Sequence, residues 1–181
     1  MKRIYGKNSS GFSIMEAVVS AAVFATVVVS SMGVYLATVK LDAKSRAERS
    51  VQQNARFIMD FIAKEVRNGS IDYGATQGAH RLVLVNQQDQ QEIFELGGTD
   101  LEFDKPAIGV TTLNSDDVRV TRFDVYLNPA SNPFVLANDV HIQPHVTVVM
   151  RLESTFAKNT ESSSIDVQST FAVREYPSRQ P

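Results

Sequence analysis

Cysteine is absent from the 181-residue chain. Without a thiol the protein has no disulfide framework, no Cys-ligated zinc or iron–sulfur site and no cysteine nucleophile. The nucleotide-binding patterns G-x-x-x-x-G-K-[ST] and G-x-G-x-x-G and the nucleophile elbow G-x-S-x-G are missing as well. We therefore expect no enzyme activity and no cofactor.

The size and the charge distribution further limit the classes of protein to which the chain can belong. A 20.0 kDa chain with 43% apolar residues has room for one ordinary domain and an appendage. Residues 40–68 contain seven basic and four acidic side chains, whereas 69–181 contain eight basic and fifteen acidic side chains. The acidic distal part would be repelled by a polyanion, so we expect no nucleic-acid partner.

A long apolar run is the strongest signal in the sequence. Residues 17–39 carry no charge and follow a leader that contains Lys2, Arg3 and Lys7. At about 1.5 Å per residue, such a helix crosses a hydrocarbon core of about 30 Å. The alternative is a secretory signal peptide cut at 36–38, but the run is longer than the usual apolar core of such peptides. Glu16 also stands at its start, where a carboxylate needs a specific purpose.

The residues around Glu16 suggest that purpose, since 11–16 read G-F-S-I-M-E after a short basic leader. This pattern resembles the N-terminal motif of type IV prepilins. The resemblance implies cleavage between Gly11 and Phe12 by a prepilin peptidase, N-methylation of Phe12 and packing of the apolar helix into a filament core. It also implies that Glu16 pairs with the new N-terminal amine of a neighbouring subunit and sets the axial register.

The same resemblance implies a function, partners and a location. The chain is expected to be a structural or assembly subunit of a type IV pilus or a type II secretion-like filament. The mature length of 170 residues and the absence of cysteine favour a minor pilin or pseudopilin that helps to initiate assembly. Implied partners are other pilin subunits, prepilin peptidase, an inner-membrane assembly platform and, before assembly, membrane lipid. The chain would be single-pass in the cytoplasmic membrane with an exported head.

Other interpretations stay open at this level. The same helix would serve as the anchor of an exported binding module, such as an adhesin, and an exported hydrolase is disfavoured because no catalytic constellation is visible. Whether the machine is a pilus, a secretion system or a DNA-uptake apparatus depends on partner proteins.

Beyond the apolar run, 41–68 has the period of an amphipathic helix. Its apolar stripe is Ala47, Val51, Ala55, Ile58, Ile62 and Val66, widened by Phe57 and Phe61. Gly69 is expected to end the helix after a basic last turn. We expect the stripe to pack on the protein's own sheet rather than in a coiled coil.

From Arg81 onward the period changes to two, which predicts strands. The predicted strands are 81–86, 91–96, 100–104, 118–127, 146–153 and 165–174, the last two as an antiparallel hairpin. A slip of the apolar set predicts a bulge near Thr121 or Arg122. The expected fold is α+β, with a long N-terminal helix whose second half packs on an antiparallel sheet. Its segments are a leader 1–11, an apolar helix 12–39, a stem 40–69, a head 70–176 and a tail 177–181.

Two groups in the head have the residue types of metal ligands. Asp139, His141 and His145 share one face of an extended chain, but Pro144 disturbs a regular strand, and solvated histidines are the expected state. Asp116 and Asp117 follow Asn114 without the D-x-[DN]-x-[DN]-G pattern, which favours an Asx turn over a calcium site. No metal is therefore expected.

Overall fold

The computed structural model describes residues 11–76, 80–134, 142–155 and 162–174. These residues form one helix followed by antiparallel strands, which confirms the predicted α+β class. The elements are α1 (Ile14–Asn68), β1 (Ser70–Ile71), β2 (Arg81–Val85), β3 (Gln91–Gly97), β4 (Asp100–Lys105), β5 (Gly109–Thr112), β6 (Val118–Asn128), β7 (His145–Ser154) and β8 (Ser164–Ala172). The chain divides into two compact units, 1–42 and 43–181. The predicted tail and all but the last residue of the leader lie outside the described residues.

The start of α1 is set by Ser13. Its hydroxyl oxygen accepts a hydrogen bond from the backbone N–H of Glu16 at 3.2 Å, and its carbonyl accepts one from Ala17 at 3.1 Å. Ser13 is therefore the N-cap, and Ser-x-x-Glu is the capping-box sequence. The helix accordingly begins at Ile14, two residues after the predicted Phe12.

The apolar part of α1 is exposed on every side, from Ile14 to Asp42. The hydroxyls of Thr26, Ser30, Ser31 and Thr38 donate to the carbonyls four residues earlier, at 2.8–2.9 Å. Because hydrocarbon offers no partner for a polar group, these internal bonds suit the segment to lipid. Among the described residues α1 is long and apolar enough to cross a membrane, which by itself is weak support for a single-pass anchor.

The second unit begins at Ala43 and contains the packed part of α1. All six residues of the predicted stripe are buried, and Ala63 joins them: Ala47, Val51, Ala55, Ile58, Ile62, Ala63, Val66. Most of them belong to one hydrophobic core with both sheets. The stripe covers the protein's own strands, as predicted.

The two phenylalanines expected to widen the stripe behave differently. Phe61 packs edge-on against Phe94 and Phe103, with ring centroids 6.0 and 5.0 Å away. Phe57 stacks on Phe61 but remains 52% exposed. Phe61 therefore lies at the edge of the buried face of α1, and Phe57 lies just outside that edge.

The strands form two sheets where the sequence predicted one. The first has the order β1-β2-β3-β4-β5 and the second β6-β7-β8, and all the pairs are antiparallel. The second sheet starts after the loop 113–117, and the backbone N–H of Val120 bonds to the carbonyl of Thr99 in the β3–β4 turn. Both sheets contribute side chains to the core under α1.

All six predicted strands are present within two residues of their expected ends. The register of β6 against β7 shifts between Val120 and Arg122, which confirms the bulge. Two strands were not predicted. The first, β1, has only two residues, and β5 is exposed along its whole length, so neither carries the alternation that marks a half-buried strand.

Gly69 follows the helix as predicted, but for another reason than expected. Its backbone is not left-handed, whereas a Cβ added there would lie 2.9 Å from the carbonyl oxygen of Val85. The glycine is required because β2 passes close to the end of α1.

Candidate assembly site

The bond between Gly11 and Phe12 lies in an exposed, non-helical stretch directly before α1. A Cβ added at Gly11 would meet nothing within 4 Å, and Phe12 is 69% exposed. Among the described residues, none therefore places a steric demand on residue 11.

Glu16 occupies the first turn of α1 and is exposed. The positive end of the helix dipole favours a carboxylate there. Its backbone N–H, not its side chain, donates the hydrogen bond to Ser13. The capping bond thus does not depend on the carboxylate of Glu16.

The loop 114–117 is held by protein groups throughout. The buried amide of Asn114 accepts from the N–H of Leu101 at 2.8 Å and donates to Asp100 and to the carbonyl of Val118. The carbonyls of Asp116 and Asp117 accept from Thr155, while their side chains are exposed. This network joins the two sheets. The side-chain oxygen of Asn114 thus accepts from the distant Leu101 and not from a residue of its own loop, as the predicted Asx turn required.

A second amide ties this loop to the helix. Asn54 on α1 accepts from the N–H of Ser115 at 2.9 Å and donates to its hydroxyl at 3.0 Å. The sequence offered no pattern that pairs residues 54 and 115, because the contact depends on how the loop crosses the helix.

The histidine cluster expected to be solvated is only partly described. His145 begins β7, whereas Asp139 and His141 lie outside the described residues. His80 instead contacts the buried carboxylate of Asp124 at 3.1 Å, and Arg122 bonds to the same carboxylate. Over the described ranges, no group of three or more His, Asp or Glu side chains could hold a metal ion.

A charged cluster that sequence reasoning missed lies between the last turns of α1 and the first sheet. Glu92 is 2% exposed, with the Lys105 ammonium 2.6 Å away and the Asn86 amide 3.0 Å away. Glu65, half-buried on α1, shares a hydrogen bond with Glu92. We name Glu65, Glu92 and Lys105 the carboxyl cluster.

The two carboxyls of the carboxyl cluster are shifted in opposite directions. Burial and the neighbouring charge of Glu92 raise the pKa of Glu65. Burial by itself would also raise the pKa of Glu92. The hydrogen bonds from Lys105 and Asn86 outweigh the effect of burial and lower the pKa of Glu92. As pH rises, Glu92 beside Lys105 therefore loses its proton before Glu65 does.

A cavity of about 150 Å³ lies elsewhere in the second unit. Its lining includes Tyr73, Phe134 and Pro144. Among the described residues the buried Tyr73 hydroxyl has no hydrogen-bond partner, and burial raises the pKa of Tyr73. A cavity of this volume has room for a molecule about the size of one small aromatic ring, not for a large ligand.

Comparison of the chain with protein-family models, curated proteins and solved structures gave no match. The architecture itself, a long apolar N-terminal helix followed by an antiparallel head, fits a pilin-like fold.

Proposed function

We propose that this chain is a pilin-like subunit of a type IV pilus or a type II secretion-like filament, of the minor kind that helps to initiate assembly. The observation that carries the proposal is the motif at Gly11, Phe12 and Glu16. It lies at the start of α1, whose apolar first part is capped by Ser13 and exposed on every side. The partners would be other pilin-like subunits, prepilin peptidase and the membrane assembly platform.

The proposed role of Glu16 follows from the energetics of charge in hydrocarbon. Cleavage after Gly11 would create an ammonium at Phe12, and a lone ammonium or carboxylate is costly in an apolar surround. When the amine of one subunit meets Glu16 of another, each offsets the desolvation of the other, so misregistered subunits are penalised. The exposed carboxylate of Glu16 is available for such a contact.

The first test is mass spectrometry of the mature N-terminus. We expect the exported protein to begin with N-methylated Phe12, and Gly11→Leu to leave the leader attached. The open space around Gly11 means that this substitution should not disturb folding. A mature chain that begins beyond Thr38 would overturn the proposal.

The second test separates a filament subunit from the alternative, a membrane-anchored binding module. In a filament subunit, Glu16→Ala should leave membrane insertion intact but reduce the amount that copurifies with sheared filaments or partner subunits. Ser13→Ala is the matched control, because it removes the helix cap and keeps the carboxylate. An anchored module has no such need, so equal incorporation of wild type and Glu16→Ala would favour the anchor.

A further inference from the structure

The outward side of the stem carries an unpartnered basic stripe. Arg49, Arg56, Lys64 and Arg67 are exposed and recur on the side of α1 opposite its buried face. Asp60 is the one acidic residue among them. Within the described ranges, no salt bridge engages any of these four cations. Beside Arg56 lies Phe57, 52% exposed. We name this surface the basic stem face.

The outer surface of the first sheet has the opposite charge. Glu95 and Glu102 stand directly opposite each other on β3 and β4, and Asp104 follows on the same face. Arg81, 3.5 Å from Glu95, is the cation on this surface. The Glu102 carboxylate lies over Gly97, where a Cβ would come within 2.3 Å of it. We name Glu95, Glu102 and Asp104 the acidic sheet face.

The acidic sheet face also has an apolar centre. Asp104 pairs with Val110 on β5 and with Ile93 on β3, so these side chains share its surface. Val110 is 61% exposed. Phe57 on the basic stem face and Val110 on the acidic sheet face are thus exposed apolar residues beside opposite charges, the pattern of an interface core with a charged rim.

The two faces lie on opposite sides of the second unit, because α1 covers the inner surface of the sheet and the acidic residues point outward. We propose that the basic stem face of one copy docks on the acidic sheet face of the next. Such a head-to-tail contact is heterologous, so it can join many copies in a ring or a filament, whereas an isologous contact would stop at a dimer. The inference rests on the proposed function and adds a second copy of this chain to the partners proposed there.

Like charges opposite each other on a sheet cost stability in a free head. Glu102→Gln should therefore stabilise the head slightly and yet weaken docking. If Glu102 had only a structural role, Glu102→Gln would change the stability of the head and its assembly in the same direction. Salt weakens an exposed contact between opposite charges. We therefore expect the two faces to dock where the apolar helices already hold neighbouring copies side by side.

The absence of native cysteine allows a direct test by disulfide cross-linking of the full chain in membranes of its own cells. A chain that carries both Arg56→Cys and Glu102→Cys should give an oligomer ladder on mild oxidation. A mixture of the two single variants should give dimers only. The matched control pairs Arg56→Cys with Asp166→Cys, an exposed carboxylate on the other sheet, and should give at least tenfold less product.

Charge reversal provides the second measurement. Glu102→Arg should reduce cross-linking through an independent pair, Phe57→Cys with Val110→Cys, and the added Arg56→Glu should restore it. Three results would overturn the proposal: cross-linking no greater than in the control, cross-links only to another protein, or basic-face variants that lose only membrane association. In each case cleavage after Gly11 would still be observed if the proposed function holds, so the two failures are distinguishable.

Discussion

Glu92 shows how a single buried carboxylate organises its surroundings. Its ion pair with Lys105 and its bond from Asn86 compensate for its burial, and the neighbouring Glu65 carboxyl also helps to lower its pKa. Because the pair has two carboxyls and one ammonium, its stability depends on which carboxyl holds a proton.

The carboxyl cluster predicts a pH dependence of stability with two limbs. The folded pKa of Glu65 is raised above 4.5, so its contribution is full below that value and is lost as pH rises through the raised pKa. The folded pKa of Glu92 is lowered, so its contribution is present above 4.5 and is lost as pH falls through the lowered pKa. Glu65→Gln keeps a donor that cannot ionise and should remove the upper limb.

The measurement is the thermal midpoint of the full chain in detergent from about pH 4 to pH 8. Wild type should lose stability relative to Glu65→Gln as pH rises. Asp60→Asn, which removes an exposed carboxylate from the same helix, is the control and should run parallel to wild type. Parallel curves for Glu65→Gln and wild type would show that the two carboxyls do not share a proton.

Asn114 predicts a stability effect of a different kind. Asn114→Ala leaves the N–H of Leu101 and the carbonyl of Val118 buried without a partner. We expect a loss of about 2–4 kcal/mol in the free energy of unfolding by denaturant, because each unsatisfied buried group costs about 1–3 kcal/mol. Asp116→Ala, which removes an exposed carboxylate from the same loop, should change it by less than about 0.5 kcal/mol. Equal effects would mean that the amide network does not hold the sheets together.

At the scale of elements, α1 has two different environments along one continuous helix. Its first part is apolar all round and fully exposed, whereas its second part buries one stripe on the strands. The spacing of apolar residues distinguishes the two parts of α1. A stripe on one side of a helix can be buried on a single apolar surface, whereas a helix that is apolar all round needs lipid or other helices around it.

The buried stripe predicts the cost of truncating it. Ile58→Ala should reduce the free energy of unfolding by about 2–5 kcal/mol, since the side chain is fully buried in the core. Phe57→Ala removes a larger but half-exposed side chain from the next position and should cost less. Urea denaturation followed by circular dichroism measures both. A larger loss for Phe57 would place the helix in a different rotation about its axis.

At the scale of the whole molecule, every residue of the hydrophobic core belongs to the second unit. The first unit has no buried side chain among its described residues. The head therefore owes its stability to contacts that do not involve the apolar segment.

This division predicts that residues 43–181 fold as a soluble monomer when expressed alone. The fragment should unfold cooperatively, elute as a monomer in gel filtration and give dispersed amide proton signals. The proposed contact between the basic stem face and the acidic sheet face should be weak without the apolar helix to align neighbouring copies. A fragment that forms fibres or stable tetramers would show that the stem is an oligomerisation seam.

The sequence by itself determined the class of the fold, the buried stripe, six strands and the bulge. Each of these has a local signal, a period of 3.6 or 2 or a slip in that period. The motif at Gly11, Phe12 and Glu16 is also local, because it consists of neighbouring residues; the cleavage site that it suggests is part of the proposed function.

The tertiary structure alone decided the rest. The split into two sheets, the contact of Asn54 with Ser115, the carboxyl cluster and the approach of Val85 to Gly69 join residues far apart in the chain. No periodic pattern records which distant groups meet, since that depends on the paths of loops and on packing. The exposed strand β5 was not predicted, because a strand without a buried face leaves no alternation of apolar and polar residues in its sequence.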